Sequence, residues 1–277
     1  RLGLYYTEAG ANQRASVVTY DRAGSSIAVS PVEAYNWTSI LQHRSWFHVT
    51  GITPALSHAA ADATLAAVRT AKSKGLTVSC DLNFRRKLWN WHAGTPPREL
   101  AERTMRGIMP FVDVVIANEE DAEMVLGIKP AATDAEEGRL SAAPYTEVAQ
   151  EIARQFPNVG KVAITLRESI SASHNNWGGM LYDAGSSTAA FAPVAADGTY
   201  KPYEIRNIVD RMGAGDAFAA GLIYALLTTE LSDPFRAVAF AAAAGCLKHS
   251  ILGDINFVSR AEIEALMKGH ASGRVQR

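Results

Sequence analysis

Short apolar runs and longer helix-like segments alternate along most of this chain, and the alternation restricts its fold more than any other feature. The short runs, which suit buried β-strands, lie at residues 46–50, 76–82, 112–117 and 162–166. The longer segments, which suit helices, lie at residues 55–74, 97–110, 119–126 and 146–156. Strands that alternate with helices over short connections predict an α/β fold with a mostly parallel central sheet.

The two ends of the chain add elements to this pattern. At the start, β-rich runs at residues 2–7 and 16–20 predict a hairpin with Gly10 and Asn12 in its turn. Residues 31–44 are predicted to be helical, and residues 131–143 to be a polar loop. Further expected elements are a strand pair at 179–182 and 188–191, a strand at 203–209, and helices after residue 217 and at 234–248 and 260–268.

The composition is that of an ordinary globular protein and excludes several classes of partner. The chain has 277 residues, 48% of them hydrophobic, and a formal net charge of -1. A nearly neutral chain gives no reason to expect nucleic acid or an anionic membrane as a partner. The apolar run at 237–247 is too short to span a bilayer. Cys80 and Cys246 are expected as reduced thiols of a cytoplasmic protein, with a single disulfide bridge as the alternative.

A glycine-rich segment, VDRMGAGDAFAAGL at residues 209–222, carries the strongest chemical signal. Gly213 and Gly215 allow a sharp turn that aims successive N–H groups at one point. If a helix follows, its first turn adds unpaired N–H donors and the positive end of its dipole, so the segment suits phosphate. Asp216 would repel a phosphate, and its presence is explained if it takes a proton from an attacking hydroxyl. The alternative is a plain loop with Asp216 as the helix N-cap.

Polar residues follow the predicted strands where ligands gather in open α/β sheets. They are Asn83, Arg85, Arg86 and Lys87, then Asn118, Glu119, Glu120 and Asp121, and then Arg167 and Glu168. Cations that neutralise phosphate and acids that hold Mg²⁺ are what phosphoryl transfer needs. Individually, the arginines can also be solvated surface charges, and the acids can simply favour a helix N-terminus.

Motifs of other chemistries are absent from the sequence. The chain has no HExxH or CxxC, so a zinc site is not expected. Serines lie near His174, but no G-x-S-x-G nucleophile elbow occurs. The lack of G-x-x-x-x-G-K-[ST] excludes a P-loop kinase at the level of motifs.

The segment MGAGDAFAAG resembles the signature of the ribokinase-like (PfkB) carbohydrate kinases. The resemblance extends from Gly3 to the C-terminus through GLYYTEAG, VTYDRAGSS, HVTGITPALS, DLNFRRKLW, ANEEDAEMVLG, TLRESISAS and SGRVQR, where it is to kinases of 2-keto-3-deoxygluconate. It implies a three-layer sandwich in which helices flank a mostly parallel sheet, with a small β lid at about residues 2–29. It also implies a single kinase domain over residues 1–277 and transfer of phosphate from ATP, with Mg²⁺, to the sugar acid.

The resemblance also implies roles for individual residues. Asp216 would be the general base, and the N–H groups of Gly213, Ala214 and Gly215 would form the anion hole. Asp121 is implied as an indirect Mg²⁺ contact, with a shorter reach than the Glu usual in the family. Substrate contacts are implied for Asp216 itself and for Tyr5, Tyr20, Arg22 and Asp254. Nucleotide contacts are implied for Gly213 and Gly215 and for Asn83, Arg85, Asn118, Thr165 and Arg167.

The sequence departs from the family pattern in places. Arg211 replaces a common Thr, and Arg167 a common Gly. The chain begins with Arg1 rather than Met, and the family's first strands and N-terminal Gly/Asn motif are not in it. We therefore expect a truncated chain that lacks part of its sugar pocket. The edge of the hairpin suggests a lid or a subunit contact, so a homo-oligomer is expected.

Three alternatives to the leading hypothesis stay open at this point. Another PfkB kinase could act on fructose, ribose or a related keto-acid. A dinucleotide-dependent oxidoreductase could use the glycine-rich segment, although that fingerprint belongs in an early βαβ unit. A catalytically inactive sugar-binding module is the third; the presence of Asp216 argues against it.

Overall fold

The computed structural model describes residues 1–118, 120–129 and 142–269 of the chain. Their packing divides the chain into two compact units. The first unit consists of Arg1–Thr7, Val18–Ile164 and Tyr182–Thr188, and the second of Glu8–Val17, Thr165–Leu181 and Ala189–Arg277. This division does not test the predicted single kinase domain, which stays a prediction.

Nine strands in the described residues form two sheets. They are β1 (Leu4–Glu8), β2 (Val17–Asp21), β3 (Trp46–Thr50), β4 (Thr77–Asp81), β5 (Val114–Ala117), β6 (Lys161–Ser171), β7 (His174–Asp183), β8 (Thr188–Ala192) and β9 (Tyr203–Arg206). The strands β1 and β2 pair in a small sheet. The other seven form the central sheet in the order β3-β4-β5-β6-β7-β8, and β9 pairs with β7.

The first part of the central sheet is parallel and deeply buried. β3 pairs with β4 from Trp46↔Thr77 onward, β4 with β5 from Ser79↔Val114, and β5 with β6 from Val114↔Lys161, all in parallel. All four residues of β5 are buried, as expected for a strand covered on both faces. β9 runs antiparallel to β7, and the two-residue connection between β6 and β7 suits only an antiparallel pair. The predicted α/β class with a mostly parallel sheet is confirmed.

Ten α-helices connect or follow these strands in the described residues. They are α1 (Ser26–Val29), α2 (Trp37–Ile40), α3 (Ile52–Ala55), α4 (His58–Ser73), α5 (Pro97–Ile108), α6 (Asp121–Leu126), α7 (Ala142–Gln155), α8 (Ala214–Leu227), α9 (Pro234–Lys248) and α10 (Arg260–Met267). Within the described part of the chain, none of them is long and apolar enough to cross a membrane.

Several predicted boundaries were wrong. Residues 31–44 do not form one helix: a 3-10 turn at Val32–Ala34 is followed by the single turn of α2, which begins anew where Asn36 accepts a hydrogen bond from the Ser39 N–H. The helix predicted at 55–74 corresponds to α4 and begins only at His58, because Ser57 is its N-cap, while Ala55 ends the preceding helix α3. The strand predicted at 203–209 ends at Arg206. Glu119, most of the predicted loop 131–143 and the terminal SGRVQR lie outside the described residues, while residues 142 and 143 already belong to α7.

In the second unit, small residues bring α8 and α9 into close contact. A Cβ atom added to Gly221 of α8 would lie 3.0 Å from the Cβ of Ala244 and 3.2 Å from the Cα of Ala241. The α9 residues 241–244 are all alanine and all buried. The alanine-rich composition of both helices therefore follows from the short distance between their backbones.

The indole of Trp177 on β7 packs against the same helix. Its Nε1 donates a 3.0 Å hydrogen bond to the carbonyl oxygen of Ala242, and its ring lies against Gly245. A Cβ on Gly245 would lie 2.6 Å from Trp177 Cζ2, closer than van der Waals contact allows. Since the hydrogen bond and the edge contact with Phe218 fix the ring, it has little room to move.

We expect Gly245→Ala to lower the free energy of unfolding by about 1–3 kcal/mol, because the added methyl group overpacks a rigid site. Chemical denaturation followed by circular dichroism measures this loss. Gly107→Ala in α5 is the matched control, since an added Cβ there meets nothing within 4 Å. That variant should be neutral or stabilised by up to about 1 kcal/mol. Equal stability of the two variants would contradict the packing argument.

Candidate active site

The turn that begins α8 in the second unit depends on Gly213. This residue is the N-cap of the helix and has φ +76°, a left-handed conformation that favours glycine. A Cβ at this position would also clash with the carbonyl oxygen of Asp254. The loop around Asp254 thus lies directly against Gly213, and two residues that the sequence predicted for the site are brought together.

Asp210 holds this turn from the other side. Its Oδ1 accepts a 2.9 Å hydrogen bond from the Met212 N–H, and its Oδ2 accepts a 3.0 Å bond from the Gly253 N–H. One carboxylate therefore ties the glycine-rich loop to the loop that carries Asp254. Lys248, which is fully buried, donates to the Ile251 carbonyl nearby, and burial lowers the pKa of its ammonium group.

The first turn of α8 carries no side-chain cap. The N-cap residue is Gly213, which has no side chain that could accept a hydrogen bond from the N–H groups of this turn. A Cβ atom added to Gly215 would meet nothing within 4 Å. Asp216 lies in this first turn and is exposed. The alternative of Asp216 as the N-cap is wrong, because Gly213 holds that position. The first turn of α8 therefore combines N–H groups that no side chain caps with an exposed carboxylate, which is the arrangement expected for an anion site.

A buried polar network lies behind this loop. Asn175 and His249 are almost completely buried, and their side chains are joined at 3.5 Å through Asn175 Nδ2 and His249 Nε2. His249 Nδ1 lies 2.8 Å from the carbonyl oxygen of Gly245, which assigns the ring proton to Nδ1. On its other side, Asn175 Oδ1 accepts a bond of 3.4 Å from Arg211 Nη2. The carbonyl of His249 in turn accepts from the Val209 and Asp210 N–H groups.

The environment of His249 keeps its ring neutral. Burial is the main cause and lowers its pKa to about 4, and the charges of Arg211, Lys248 and Arg167 act in the same direction. The hydrogen bond to the Gly245 carbonyl opposes the shift only in part. A neutral ring donates through one nitrogen and accepts through the other, and the network requires both roles.

Thr165 and Arg167 lie two residues apart on β6, so both side chains point to the same face of the strand. Thr165 is buried and Arg167 is exposed. Burial lowers the pKa of Arg211, and the charge of Arg167 acts in the same direction. The predicted contact of Thr165 and Arg167 with nucleotide stays a prediction.

In the first unit, Asp121 joins the loops that follow β4 and β5. Its Oδ1 accepts a 2.9 Å bond from the Phe84 N–H, and its Oδ2 a 3.1 Å bond from the Asn118 N–H. Burial raises the pKa of this carboxyl, while the backbone hydrogen bonds and the charge of Arg85 oppose the shift. Both carboxylate oxygens of Asp121 are thus used as acceptors for backbone N–H groups. Its predicted indirect contact with metal stays a prediction.

The two asparagines of these loops are also held by hydrogen bonds. Asn83 has φ +40° and donates from Nδ2 to Thr50 Oγ1 at 3.2 Å. Asn118 Oδ1 accepts from the N–H groups of Glu120 and Asp121, each at 2.9 Å, and so bonds the start of α6. Among the described residues, no group of three or more His, Cys, Asp or Glu side chains could hold a metal ion.

Arg22 lies between two aromatic rings in the first unit. Its Cζ is 5.8 Å from the centroid of Tyr5 and 5.3 Å from that of Tyr20. A guanidinium over two aromatic faces is stabilised by cation–π interaction and held in a defined position. The structure thus brings together three of the five residues predicted to contact the sugar acid, with Tyr5 on β1, Tyr20 on β2 and Arg22 just after β2.

A cavity of about 500 Å³ lies in the first unit. Tyr20 and Arg85, predicted from the sequence for sugar and nucleotide, line it together. Two further cations, Arg86 and Lys87, line it as well. The sequence placed them among the polar residues that follow a predicted strand, but no contact with a ligand was predicted for them. The complete lining is Val18, Tyr20, Phe84, Arg85, Arg86, Lys87, Glu120 and Met124.

The low pKa of His249 predicts a pH-dependent stability. Between about pH 6.5 and 4 the unfolded chain binds a proton that the folded chain excludes, so the free energy of unfolding falls as the pH drops through this window. At 1.36 kcal/mol per unit, the contribution of this residue amounts to about 3 kcal/mol. We expect His249→Asn to flatten this part of the stability profile, measured by urea unfolding at a series of pH values.

His43→Asn is the matched control for that experiment. His43 is exposed and has φ +58°, which Asn tolerates, so its replacement should leave the slope unchanged. A His249→Asn profile that runs parallel to the wild-type profile from pH 6.5 to 4.5 would contradict the assignment.

Comparison with known proteins gives a consistent result. The chain matches the family model described as pfkB family carbohydrate kinase over residues 1–153 and 183–267. The 2-dehydro-3-deoxygalactonokinase of Haloferax volcanii is 29% identical over 273 residues, which are 99% of this chain and 72% of that protein.

Solved structures agree. The structure of 2-dehydro-3-deoxygluconokinase from Thermotoga maritima superposes with a TM-score of 0.83 at 43% identity, covering 97% of this chain and 73% of that one. A PfkB family carbohydrate kinase from Listeria grayi gives a TM-score of 0.80 at 33% identity, covering 97% and 74%. The ribokinase-like sandwich expected from the sequence is thereby confirmed, and the oxidoreductase alternative is wrong. The chain belongs to the pfkB family of carbohydrate kinases.

Proposed function

We propose that this chain catalyses the ATP-dependent phosphorylation of 2-keto-3-deoxygluconate at its terminal hydroxyl, giving 2-keto-3-deoxy-6-phosphogluconate. The observation that carries the proposal is the open first turn of α8, with Asp216 exposed beside uncapped N–H groups. The sugar is suggested by the 43% identity to the Thermotoga maritima protein, which bears the name 2-dehydro-3-deoxygluconokinase.

In the proposed reaction, the carboxylate of Asp216 accepts the proton of the sugar hydroxyl as its oxygen bonds to the γ-phosphorus of ATP. The bond from that phosphorus to the β–γ bridging oxygen breaks, and ADP leaves with the electron pair. The N–H groups of Gly213, Ala214 and Gly215 donate to the negative charge on the transferred group. These donors are fixed before the reaction by the Gly213 turn and Asp210, so they need no reorganisation.

The carboxylate of the substrate requires a cationic partner, and Arg22 supports this role. The rings of Tyr5 and Tyr20 hold its guanidinium, leaving its planar edge suited to bidentate bonding of a carboxylate. Fructose and ribose have no such group. A kinase that uses Arg22 in this way would therefore discriminate against neutral sugars.

The residues present fit ATP better than they fit a tightly bound metal. The uncapped turn at Gly215 leaves room for phosphate oxygens, whereas the described residues contain no cluster of three acids or histidines. Mg²⁺ commonly binds through one or two carboxylates together with substrate phosphates and waters, and it would supply charge neutralisation here. The proposed cytoplasmic location and homo-oligomer also remain predictions.

The choice of sugar acid can be tested directly. The Haloferax volcanii relative is named for the galactonate epimer, so both epimers belong in the test. ADP release should be measured with 2-keto-3-deoxygluconate, 2-keto-3-deoxygalactonate, fructose and ribose. We expect the highest kcat/KM with the gluconate derivative. Efficient turnover of fructose or ribose, with none of the keto-acids, would refute the proposal.

We expect Asp216→Asn to lower kcat by about 100- to 10,000-fold, because the variant lacks the proton acceptor. The fold and ATP binding should be retained, as measured by circular dichroism and by titration with ATP. Glu99→Gln is the matched control, since Glu99 is also an exposed first-turn acid, in α5, and its loss should leave kcat unchanged. Wild-type turnover in Asp216→Asn would mean that another group is the base.

The two glycines of the loop should respond differently to substitution by alanine. Gly213→Ala introduces a Cβ into left-handed backbone and against the Asp254 carbonyl, so it should destabilise the fold by at least about 1–2 kcal/mol as well as lower kcat. At Gly215 the added Cβ meets open space, so Gly215→Ala should keep wild-type stability and lose phosphoryl transfer. Thermal unfolding with the ADP-release assay separates the two. Full activity of Gly215→Ala would contradict a phosphate site at this turn.

A further inference from the structure

The tip of the β1–β2 hairpin is hydrogen-bonded to the turn between β6 and β7 in the second unit. Here the lid tip denotes residues 9–14, and the turn junction denotes residues 171–175. The Ala172 N–H donates a 2.8 Å bond to the carbonyl oxygen of Asn12, and the Asn12 N–H donates a 3.0 Å bond to Ser173 Oγ. Asn12 has φ +51°, and this turn geometry presents both of its backbone groups to the junction.

Arg211 belongs to the glycine-rich loop, here called the catalytic loop (residues 210–215), and it binds the same turn junction. Its Nη2 donates to the carbonyl oxygens of Ala172 at 2.9 Å and Ser171 at 3.2 Å. It also reaches Asn175 Oδ1 at 3.4 Å. Ala172 therefore uses its carbonyl for Arg211 and its N–H for Asn12, so a single peptide segment joins the two partners.

The position of Arg211 connects the junction to the phosphate site. Arg211 lies between Asp210, whose carboxylate braces the loop, and the turn at Gly213. Its side chain is partly buried, and burial together with the charge of Arg167 lowers the pKa of the guanidinium. Burying a guanidinium is unfavourable unless its donors are satisfied, so the bonds to the junction are needed to keep Arg211 in this position.

We propose that Arg211 is a positioning residue that couples the catalytic loop to the lid tip through the turn junction, and thereby sets the affinity for the sugar acid. This inference rests on the proposed function, because Tyr5, Tyr20 and Arg22, which we propose as contacts of the sugar acid, are carried by β1 and β2 or follow them directly. The coupling predicts that a change at Arg211 alters the lid tip and the KM for the sugar more than the KM for ATP.

Hydrogen exchange of the ligand-free protein tests the coupling without any assumption about the substrate. In Arg211→Met, which removes the donors and the charge and keeps an unbranched apolar side chain, amide exchange should accelerate by at least tenfold in both the turn junction and the lid tip. Exchange that accelerates only within residues 171–175 and 210–213, with a wild-type lid tip, would overturn the proposal. Arg154→Met is the matched control: the Arg154 side chain is exposed and pairs with Glu151 of the same helix, α7, so exchange in the turn junction and the lid tip should be unchanged.

Steady-state kinetics form the second arm, with the sugar acid that the wild-type protein turns over best. Arg211→Met should raise the KM for the sugar about tenfold and change the KM for ATP less than twofold. A rise confined to the KM for ATP would indicate direct contact of Arg211 with nucleotide and overturn the proposal. If the wild-type protein turns over no keto-acid, the proposed function fails, and the exchange experiment still decides the coupling.

Two further variants exclude a purely structural or purely electrostatic explanation. Ser173→Ala removes the acceptor for Asn12 alone, so combining it with Arg211→Met should raise the sugar KM by less than the product of the two single effects. Strictly multiplicative effects would overturn the coupling. Arg211→Lys keeps the charge, but its chain ends one bond earlier and lacks the guanidinium fork, so it should restore lid-tip protection only in part. Complete restoration would assign the effect to charge alone and overturn the proposal that the hydrogen bonds of Arg211 carry the coupling.

Discussion

The left-handed turn at Gly213 is the constraint on which the catalytic end of this kinase depends. It lets the chain enter α8 while its backbone lies against the Asp254 carbonyl, and Asp210 fixes the same loop through two N–H groups. The first turn of α8 is therefore rigid and yet free of side-chain caps. Fixed dipoles of this kind stabilise charge that develops in a transition state without first having to reorient.

Polar side chains at the glycine-rich loop, and those at the loops after β4 and β5, position backbone rather than supply free charge. Both carboxylate oxygens of Asp121 accept hydrogen bonds from backbone N–H groups of the loops after β4 and β5. Both oxygens of Asp210 accept from backbone N–H groups in the same way, at the glycine-rich loop and the loop that carries Asp254. His249 stays neutral and bridges the Gly245 carbonyl to Asn175. Because backbone N–H dipoles offset these carboxylates, acids can lie near loops that are suited to anions. Asp216, which is exposed in the open turn, differs from both.

Much of the sheet was predictable, because buried strands carry a continuous apolar signal. The strand at Trp46–Thr50 was predicted with its observed ends, and α9 likewise. Both β6 and β7 are longer than predicted. In β6, residues 167–170 are exposed, and Ile170 is the one apolar residue among them, so a search for apolar runs does not extend the strand over them. The prediction of a helix over residues 31–44 was wrong, because Asn36 acts as an N-cap and starts a new, short helix inside that segment.

The local geometry of the candidate site was predictable where one motif contains its parts, as in the turn and first helical turn from Gly213 to Asp216, while the roles of these residues stay predictions. It was not predictable where the parts are far apart in sequence. Arg211 and Asn175 are 36 residues apart, and Asn175 and His249 are 74 apart, and each residue type is common by itself. Arg211 was noted only as a departure from the family pattern. Its two shorter hydrogen bonds go to backbone carbonyls, which leave no trace in side-chain identity.

The bonds between Asn12 and the β6–β7 turn have a consequence for the order of folding. They join residues 161 positions apart, in a chain of 277. Contacts of such large sequence separation form late, because the loop-closure entropy must be offset by structure that is already in place. During synthesis the β1–β2 hairpin emerges before residue 173, so its bonds to the β6–β7 turn cannot form until that residue has left the ribosome. Until then its edges are open to non-native pairing, so translation speed between the two segments would influence the yield of correctly folded enzyme.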